Sequence, residues 1–488
     1  MPGRLRAGNA TTRRRFMTIL ASPSAASIAA PAFSLSPQRP IITHGVQSGD
    51  VSVDSGMVWA RADRPARMLI EAATDSFKDI CHASFVDALP ETDFTAKALI
   101  EDLPPGQDIF YRLRFQDLWS PQAVSDAVIG RFRTASTDRR SISFVWSGDT
   151  AGQGWGIDPS RGGMRTYRTM LHSRPDFFVH CGDSIYADCT VPTQQTLPNG
   201  ETWRNIVTEE KSNVATSLND YRGNYKYNLL DENLRDFNAE VPIFAQWDNH
   251  EVMEDWWPGE AFDRRGYNTK SALLLAARGC RAFHEFMPLR YSPAEPGRIY
   301  RKISYGPLLD LFVLDMRSYR GPNEHPTTEY GPDAHLFGPV QLSWLKRELK
   351  RSLATWKVIA SDTPLGTIAD NAPDASAHLA AALKSPTCCR SCTKRLFAIQ
   401  YGSLLICTIQ PHIISIRITQ CSRTSSHFGN SFPVLFTPGP GRHALLNGPS
   451  ARQSFFKAQQ AVSKVTTSPR ISACSSLPTW QSTAQPRR

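Results

Sequence analysis

Between residues 141 and 362 five short apolar runs each stop at an acid or at an Asn/His cluster, and this pattern restricts the fold more than any other feature of the chain. The runs are 141–146, ahead of Asp149; 176–180, ahead of Asp183; 241–247, running into Asp248-Asn249-His250-Glu251; 309–314, ahead of Asp315; and 356–360, ahead of Asp362. Short runs rich in aromatic and β-branched residues suit strands buried on both faces. Segments between them, such as 165–171 and 270–286, can be helical, so a layered α/β domain of central mixed sheets flanked by helices is predicted over 140–374. Open sheets of this kind keep their chemistry just beyond the carboxyl ends of the strands.

Ahead of it, residues 41–134 change to short strand-like runs at 56–61, 67–71, 95–100, 109–115 and 127–133, separated by turns such as Leu103-Pro-Pro-Gly106. That spacing predicts a small β-sandwich of immunoglobulin or fibronectin type, a fold that by itself implies no function.

The net charge of +10 belongs to the C-terminal end. Residues 1–374 hold 42 Lys+Arg against all 45 Asp+Glu, a slight acidic excess, whereas 375–488 hold 13 Lys+Arg and no acid. A nucleic-acid-binding body is therefore not expected. At the body's frequency a tail of this length would hold about 14 acids. Its complete lack of them, with six cysteines and apolar stretches such as 404–409, predicts an aberrant segment, frame-shifted or disordered. Cys388, Cys389 and Cys392 resemble half of a zinc knuckle but have no matching second pair.

At the other end, Thr12-Arg-Arg-Arg-Phe16 precedes a modest apolar segment and an Ala-Pro-Ala stop, and residues 1–32 read as a twin-arginine export signal. The apolar part is too short and too interrupted to span a bilayer core of about 30 Å. No other transmembrane segment is expected, and the mature chain is placed in the periplasm or outside the cell.

Asp149, Asp183 and Asn249 follow three successive predicted strands and can converge. Three such oxygens without a nearby Lys or Arg repel one another unless a cation sits among them, which a di-metal centre would supply. Singly, each could equally cap a turn. Tyr186 lies three residues beyond Asp183; a phenolate ligand favours a hard trivalent metal such as ferric iron, although a tyrosine here can also be a packing residue. Asp188 is a further ligand or a turn residue. His250 could bind metal or act on the reacting group, with Glu251 fixing its tautomer.

The stretches Ser-Gly-Asp-Thr-Ala-Gly-Gln (147–153), Gly-Asp-x-x-Tyr-x-Asp (182–188) and Trp-Asp-Asn-His-Glu (247–251) resemble the alkaline phosphatase D (PhoD-like) family of metallophosphoesterases. So do the His-Gly-Val-Gln-Ser-Gly-Asp opening of the sandwich (44–50) and Leu-Asp-Met-Arg-Ser-Tyr-Arg (314–320), and the likeness spans about 41–370. The resemblance implies hydrolysis of small-molecule phosphate monoesters or diesters by a metal-activated water, with iron and calcium or another divalent pair as cofactors. It implies Asp149, Asp183, Tyr186 and Asn249 as ligands, Asp149 standing where some members have a cysteine, and His250 as the catalytic group. The twin-arginine machinery would be the export partner. The family completes its centre with a late Asp-x-His-type motif, and the tail offers none around His412, His427 or His443. A frame-shifted tail therefore predicts an impaired enzyme, and the alternative function is a non-catalytic extracytoplasmic binding or scaffold protein built on the same fold.

Overall fold

The computed structural model describes residues 39–322 and 338–362 in full, and strands at 396–400, 403–408, 417–418 and 432–436 by their backbone. The signal at 1–32, Cys388, Cys389, Cys392, His412, His427 and His443 lie outside the described residues.

Seven strands come first: β1 (Ile42–Gly49), β2 (Gly56–Ala62), β3 (Ala66–Ala73), β4 (Ile80–Ala88), β5 (Thr95–Ile100), β6 (Asp108–Asp117) and β7 (Val128–Arg133). In β3 and β6 buried and half-buried residues alternate, as one-sided burial requires. The inward set, including Met68, Ile70, Leu113 and Phe115, closes a sandwich between the sheet β4-β3-β6-β7 and the strands β1, β2 and β5.

The chain continues through β8 (Ile142–Ser147), α1 (Arg165–His172), β9 (Phe177–Cys181), β10 (Gln194–Thr196), β11 (Thr202–Arg204), α2 (Leu218–Asn228), α3 (Glu232–Glu240), β12 (Ile243–Gln246) and α4 (Ala272–Phe286). It then forms β13 (Arg301–Tyr305), β14 (Leu309–Val313), α5 (Gly338–Arg351), β15 (Trp356–Ala360), β16 (Leu396–Gln400), β17 (Ser403–Thr408), β18 (Arg417–Ile418) and β19 (Phe432–Phe436). One sheet runs β18-β19-β8-β9-β12-β1-β2-β5, and a second runs β13-β14-β15-β17-β16. Four strands from the acid-free segment thus extend both sheets, β19 antiparallel to β8 and β17 antiparallel to β15.

Period-two side-chain direction sorts these strands into layers. Phe144, Trp146, Phe177, Val179 and Phe244 from the first sheet share a core with Leu311, Val313, Val358 and Ala360 from the second. Their neighbours Val145, Phe178 and Ala245 face outward into a cluster covered by α1 to α4, while Phe312 and Ile359 pack under Trp344 and Leu345 of α5. The order is helices, sheet, sheet, helix. Phe177 shows how the sheets are joined: its ring stacks on Phe144 at 4.8 Å and meets Tyr305 of the facing sheet at the same distance. Burying each such ring contributes about 1.5–3 kcal/mol.

The sandwich is continuous with the first sheet, because β1 runs parallel beside β12 with Gly49 opposite Ile243. Asp50, fully buried at the end of β1, takes a two-pronged contact from Arg301 of β13, Nε to Oδ2 at 2.8 Å and Nη2 to Oδ1 at 2.7 Å. Charge-assisted, bidentate geometry of this kind fixes orientation as well as energy. Among the described residues no helix is long and apolar enough to cross a membrane.

Candidate metal centre

β8, β9 and β12 are immediate neighbours and parallel, with Ser147 opposite His180 and Gln246 opposite Cys181. Adjacent strands lie about 4.8 Å apart. The loops that leave their carboxyl ends therefore start side by side, and they carry Asp149, Asp183 and Asn249. Asp149 and Asp183 both take the left-handed backbone conformation, φ 61° and 54°, which is costly for a residue with a Cβ and least so for Asp and Asn. Two hydrogen bonds hold them there: the Asp149 amide donates to the Gly182 carbonyl at 3.3 Å, and the Thr150 amide to the Asp183 carbonyl at 2.8 Å. Gly182 is required between them, since its φ is 99° and a Cβ would lie 2.5 Å from that of Asp248.

Asp149 is exposed, whereas Asp183, Tyr186 and Asn249 are buried. The Tyr186 hydroxyl donates to Asp149 Oδ1 at 2.5 Å, and its ring stacks on that of His250 at 4.2 Å between centroids. The His250 amide donates to Asp183 Oδ1 at 3.1 Å. Asp149 and Tyr186, and Asp183 and the Asn249-His250 segment, are thereby linked into one cluster.

His250 is oriented by Asp188, not by Glu251. Its Nδ1 lies 2.8 and 2.9 Å from the two Asp188 oxygens, so Nδ1 carries the proton that Asp188 accepts and Nε2 is left for chemistry. Glu251 instead accepts from the amides of Asp183 (3.1 Å), Ser184 (2.5 Å) and Asp248 (2.7 Å) and from the Ser184 hydroxyl (2.6 Å). It fastens the β9 and β12 loops together.

The electrostatics are those of crowded carboxylates. Burial, then the charges of Asp248, Glu251 and Asp149, push Asp183 well above the usual carboxyl range. Burial also takes Glu251 up to about 7, and burial with Asp183 and Asp149 pushes the Tyr186 phenol up. For His250 burial acts downward, but Asp188 and Asp183 outweigh it and raise the imidazole to about 10. Asp188 answers in the opposite sense: burial raises it, and His250 overcomes burial to hold it below its ordinary value.

Such an excess of negative charge is what a bound cation relieves. Two carboxylates, a phenol and an amide oxygen form a hard, all-oxygen donor set that fits calcium or ferric iron. Among the described residues no three His, Cys, Asp or Glu side chains gather into a metal cluster, so the set depends on Tyr186 and Asn249.

One expectation is corrected by Arg317. The cluster does have a nearby arginine: this buried guanidinium donates from Nε to Asp248 Oδ1 at 2.6 Å and lies 3.5 Å from Asn249 Oδ1. Its loop follows β14 in the second sheet and is shaped by Asp315, whose Oδ1 accepts from Trp247 Nε1, the Arg317 amide and the Ser318 amide at 2.9 to 3.1 Å. The only sign of it in the sequence is the 314–320 stretch, which says nothing of what Arg317 touches.

Comparison with known proteins gives two family matches: the PhoD-like phosphatase model over residues 144–395 and the PhoD-like phosphatase N-terminal domain over 27–136. Alkaline phosphatase D of Bacillus subtilis (strain 168) is 28% identical over 367 residues, covering 70% of this chain and 59% of the relative. A solved structure of PhoD superposes with a TM-score of 0.55 at 26% identity, covering 68% of this chain and 63% of that one. The chain thus spans about three fifths of the length of these relatives.

Proposed function

The chain belongs to the PhoD-like phosphatase family, and from that premise we propose that it is an exported, metal-dependent phosphoesterase that hydrolyses phosphate monoesters or diesters. The observation that carries the reading is that Asp149, Asp183, Tyr186 and Asn249 stand in the loops leaving three adjacent parallel strands, with the Tyr186 hydroxyl on Asp149 and the His250 amide on Asp183. These four would hold the metal, iron with calcium or another divalent pair. When bound, it would supply Lewis acidity at the phosphoryl oxygens and lower the pKa of water in the site.

The chain's own groups do the rest. His250 Nε2, with Nδ1 held by Asp188, is placed to give a proton to the departing alkoxide oxygen. Stacking on Tyr186 restricts the imidazole's tilt. Glu251 keeps the two donor loops in register, and Arg317 neutralises Asp248 behind Asn249.

The Thr12–Phe16 pattern supports export by the twin-arginine route. The acid-free composition of 375–488 supports a shifted reading frame and an impaired enzyme. Pairing of β17 and β19 with the sheets is compatible with that origin, since an apolar segment can complete a backbone ladder whatever its ancestry. Reading the coding DNA one base out beyond codon 374 should recover acids and an Asp-x-His motif.

The decisive assay is hydrolysis of a chromogenic phosphate ester by the full chain, before and after chelation. Turnover that disappears with the metal and returns on adding iron or calcium is expected. A metal-free protein, inert towards both monoesters and diesters, would overturn the reading in favour of a scaffold.

A further inference from the structure

Lys211 ends the short 3-10 turn Glu209–Lys211 and is 2% exposed. Its Nζ donates to three acceptors: the Tyr186 carbonyl at 2.8 Å, the Cys189 carbonyl at 3.2 Å, and Oδ1 of Asn224, in α2, at 2.8 Å. A neutral amine has two N–H bonds to give, so three acceptors at once call for the ammonium form. Among the described residues no carboxylate comes within ion-pair distance of it, although it lies in the field of Asp188. A buried charge balanced by dipoles instead of a counter-ion is costly to the fold, and an apolar side chain of similar volume would avoid that cost.

What the ammonium holds lies in the site. Tyr186 to Cys189 is one tight turn, closed by the Cys189 amide donating to the Tyr186 carbonyl at 3.3 Å. Lys211 grips the carbonyls at both ends of that turn. Between those ends, the Ala187 amide donates to the His250 carbonyl at 2.9 Å, and the Asp188 carboxylate meets His250 Nδ1 at 2.8 Å. The turn thus touches His250 twice, once through main chain and once through side chain, and Lys211 fixes the segment that makes both contacts. A displacement of the turn by a fraction of an ångström would change the direction from which Asp188 accepts, and with it the aim of Nε2.

Resting on the phosphoesterase reading, we propose that Lys211 is a positioning residue of the reaction: by clamping the Tyr186–Cys189 turn it places the Asp188 carboxylate, and through it the His250 imidazole that gives the leaving group its proton.

The test follows the benzyl and p-nitrophenyl esters of phosphate or methyl phosphate in the full chain and in Lys211→Met. Benzyl alkoxide must take a proton as it departs, whereas nitrophenolate leaves without one. In the variant kcat for the benzyl ester should fall about 10- to 100-fold and that for the nitrophenyl ester no more than about threefold, with both KM values within about twofold of native. Equal losses on the two esters, or none, would overturn the proposal, since a merely structural lysine lowers both by the same folded fraction. Should Lys211→Met not fold, Lys211→Gln, which keeps two N–H donors without the charge, is read in its place, and failure of both to fold assigns Lys211 to the fold alone and overturns the proposal. If the native chain turns over neither ester, the hydrolytic reading falls, and the positioning is judged by the low-field proton NMR signal of His250 Nδ1–H, identified by its loss in His250→Gln. A shift or loss of that signal in folded Lys211→Met upholds the clamp; an unchanged signal, or none in the native chain, overturns it.

Discussion

The two sheets end in the same kind of sequence and use it differently. In the first sheet the acids after β8 and β9 are thrown into left-handed conformations and brought against the Tyr186 phenol and the His250 backbone amide. In the second, Asp315 after β14 turns back on its own loop, where one oxygen accepts from an indole and two amides, and Asp362 after β15 accepts from the Met316 amide at 3.2 Å. Burial pushes both of these carboxyls upward, Asp362 also feeling Asp248. An acid at a strand end is therefore ambiguous by itself. Asp315 gathers three donors on one oxygen, two of them from its own loop, whereas Asp183 takes a single amide, that of His250.

That contrast can be broken from either side. The largest expected effect is at the donor side: Asp188→Asn keeps an oxygen facing Nδ1 but removes the negative charge that holds His250 protonated, and kcat should fall about 10- to 100-fold, as for other partners that orient a site residue, with KM nearly unchanged. The melting temperature of this variant should move little. At the cap side the effect should be one of stability. Asp315→Ala leaves the Trp247, Arg317 and Ser318 donors without their buried acceptor and should cost about 2–4 kcal/mol in denaturant titration. Loss of turnover out of proportion to the folded fraction would show that Asp315 belongs to the site.

The smallest effect, outside both sheet ends, is in pH. Burial, with Lys97 and Arg301 adding to it, lowers His284 of α4 to about 3. The unfolded chain then binds the proton first, so stability falls as pH drops below about 6.5, by about 1 kcal/mol over the first unit. His284→Gln should flatten this limb in thermal melts at pH 5.5 and 7 and leave the pH profile of turnover unchanged.

Much of the architecture was legible because burial on both faces leaves a mark in composition. Thr95–Ile100 and Trp356–Ala360 have the same bounds in sequence and structure. β4 left no such mark, since it is an edge strand exposed along most of its length. β13 was hidden for another reason: it opens on Arg301 and Lys302, whose burial is made possible by Asp50 and Asp310, distant in sequence or on the neighbouring strand.

At the site, residue type and spacing pointed to Asp149, Asp183, Tyr186, Asn249 and His250 as candidates. They could not give direction. Glu251 is adjacent to His250 and turns away, while Asp188 lies 62 residues earlier and meets its ring. Arg317 was out of reach for the same reason, its partner Asp248 being 69 residues distant in the other sheet.

The claim on which the account rests is that oxygen donors from three neighbouring strands share a bound cation. Metal per chain, measured by plasma emission on the native protein and on Asp183→Asn purified in parallel, addresses it directly. The account predicts iron or calcium in the native chain, the loss of at least one equivalent in the variant, and no fall in the variant's metal-stripped melting temperature, because the substitution relieves crowded negative charge. Equal metal content in the two proteins, or none in the native one, would contradict it.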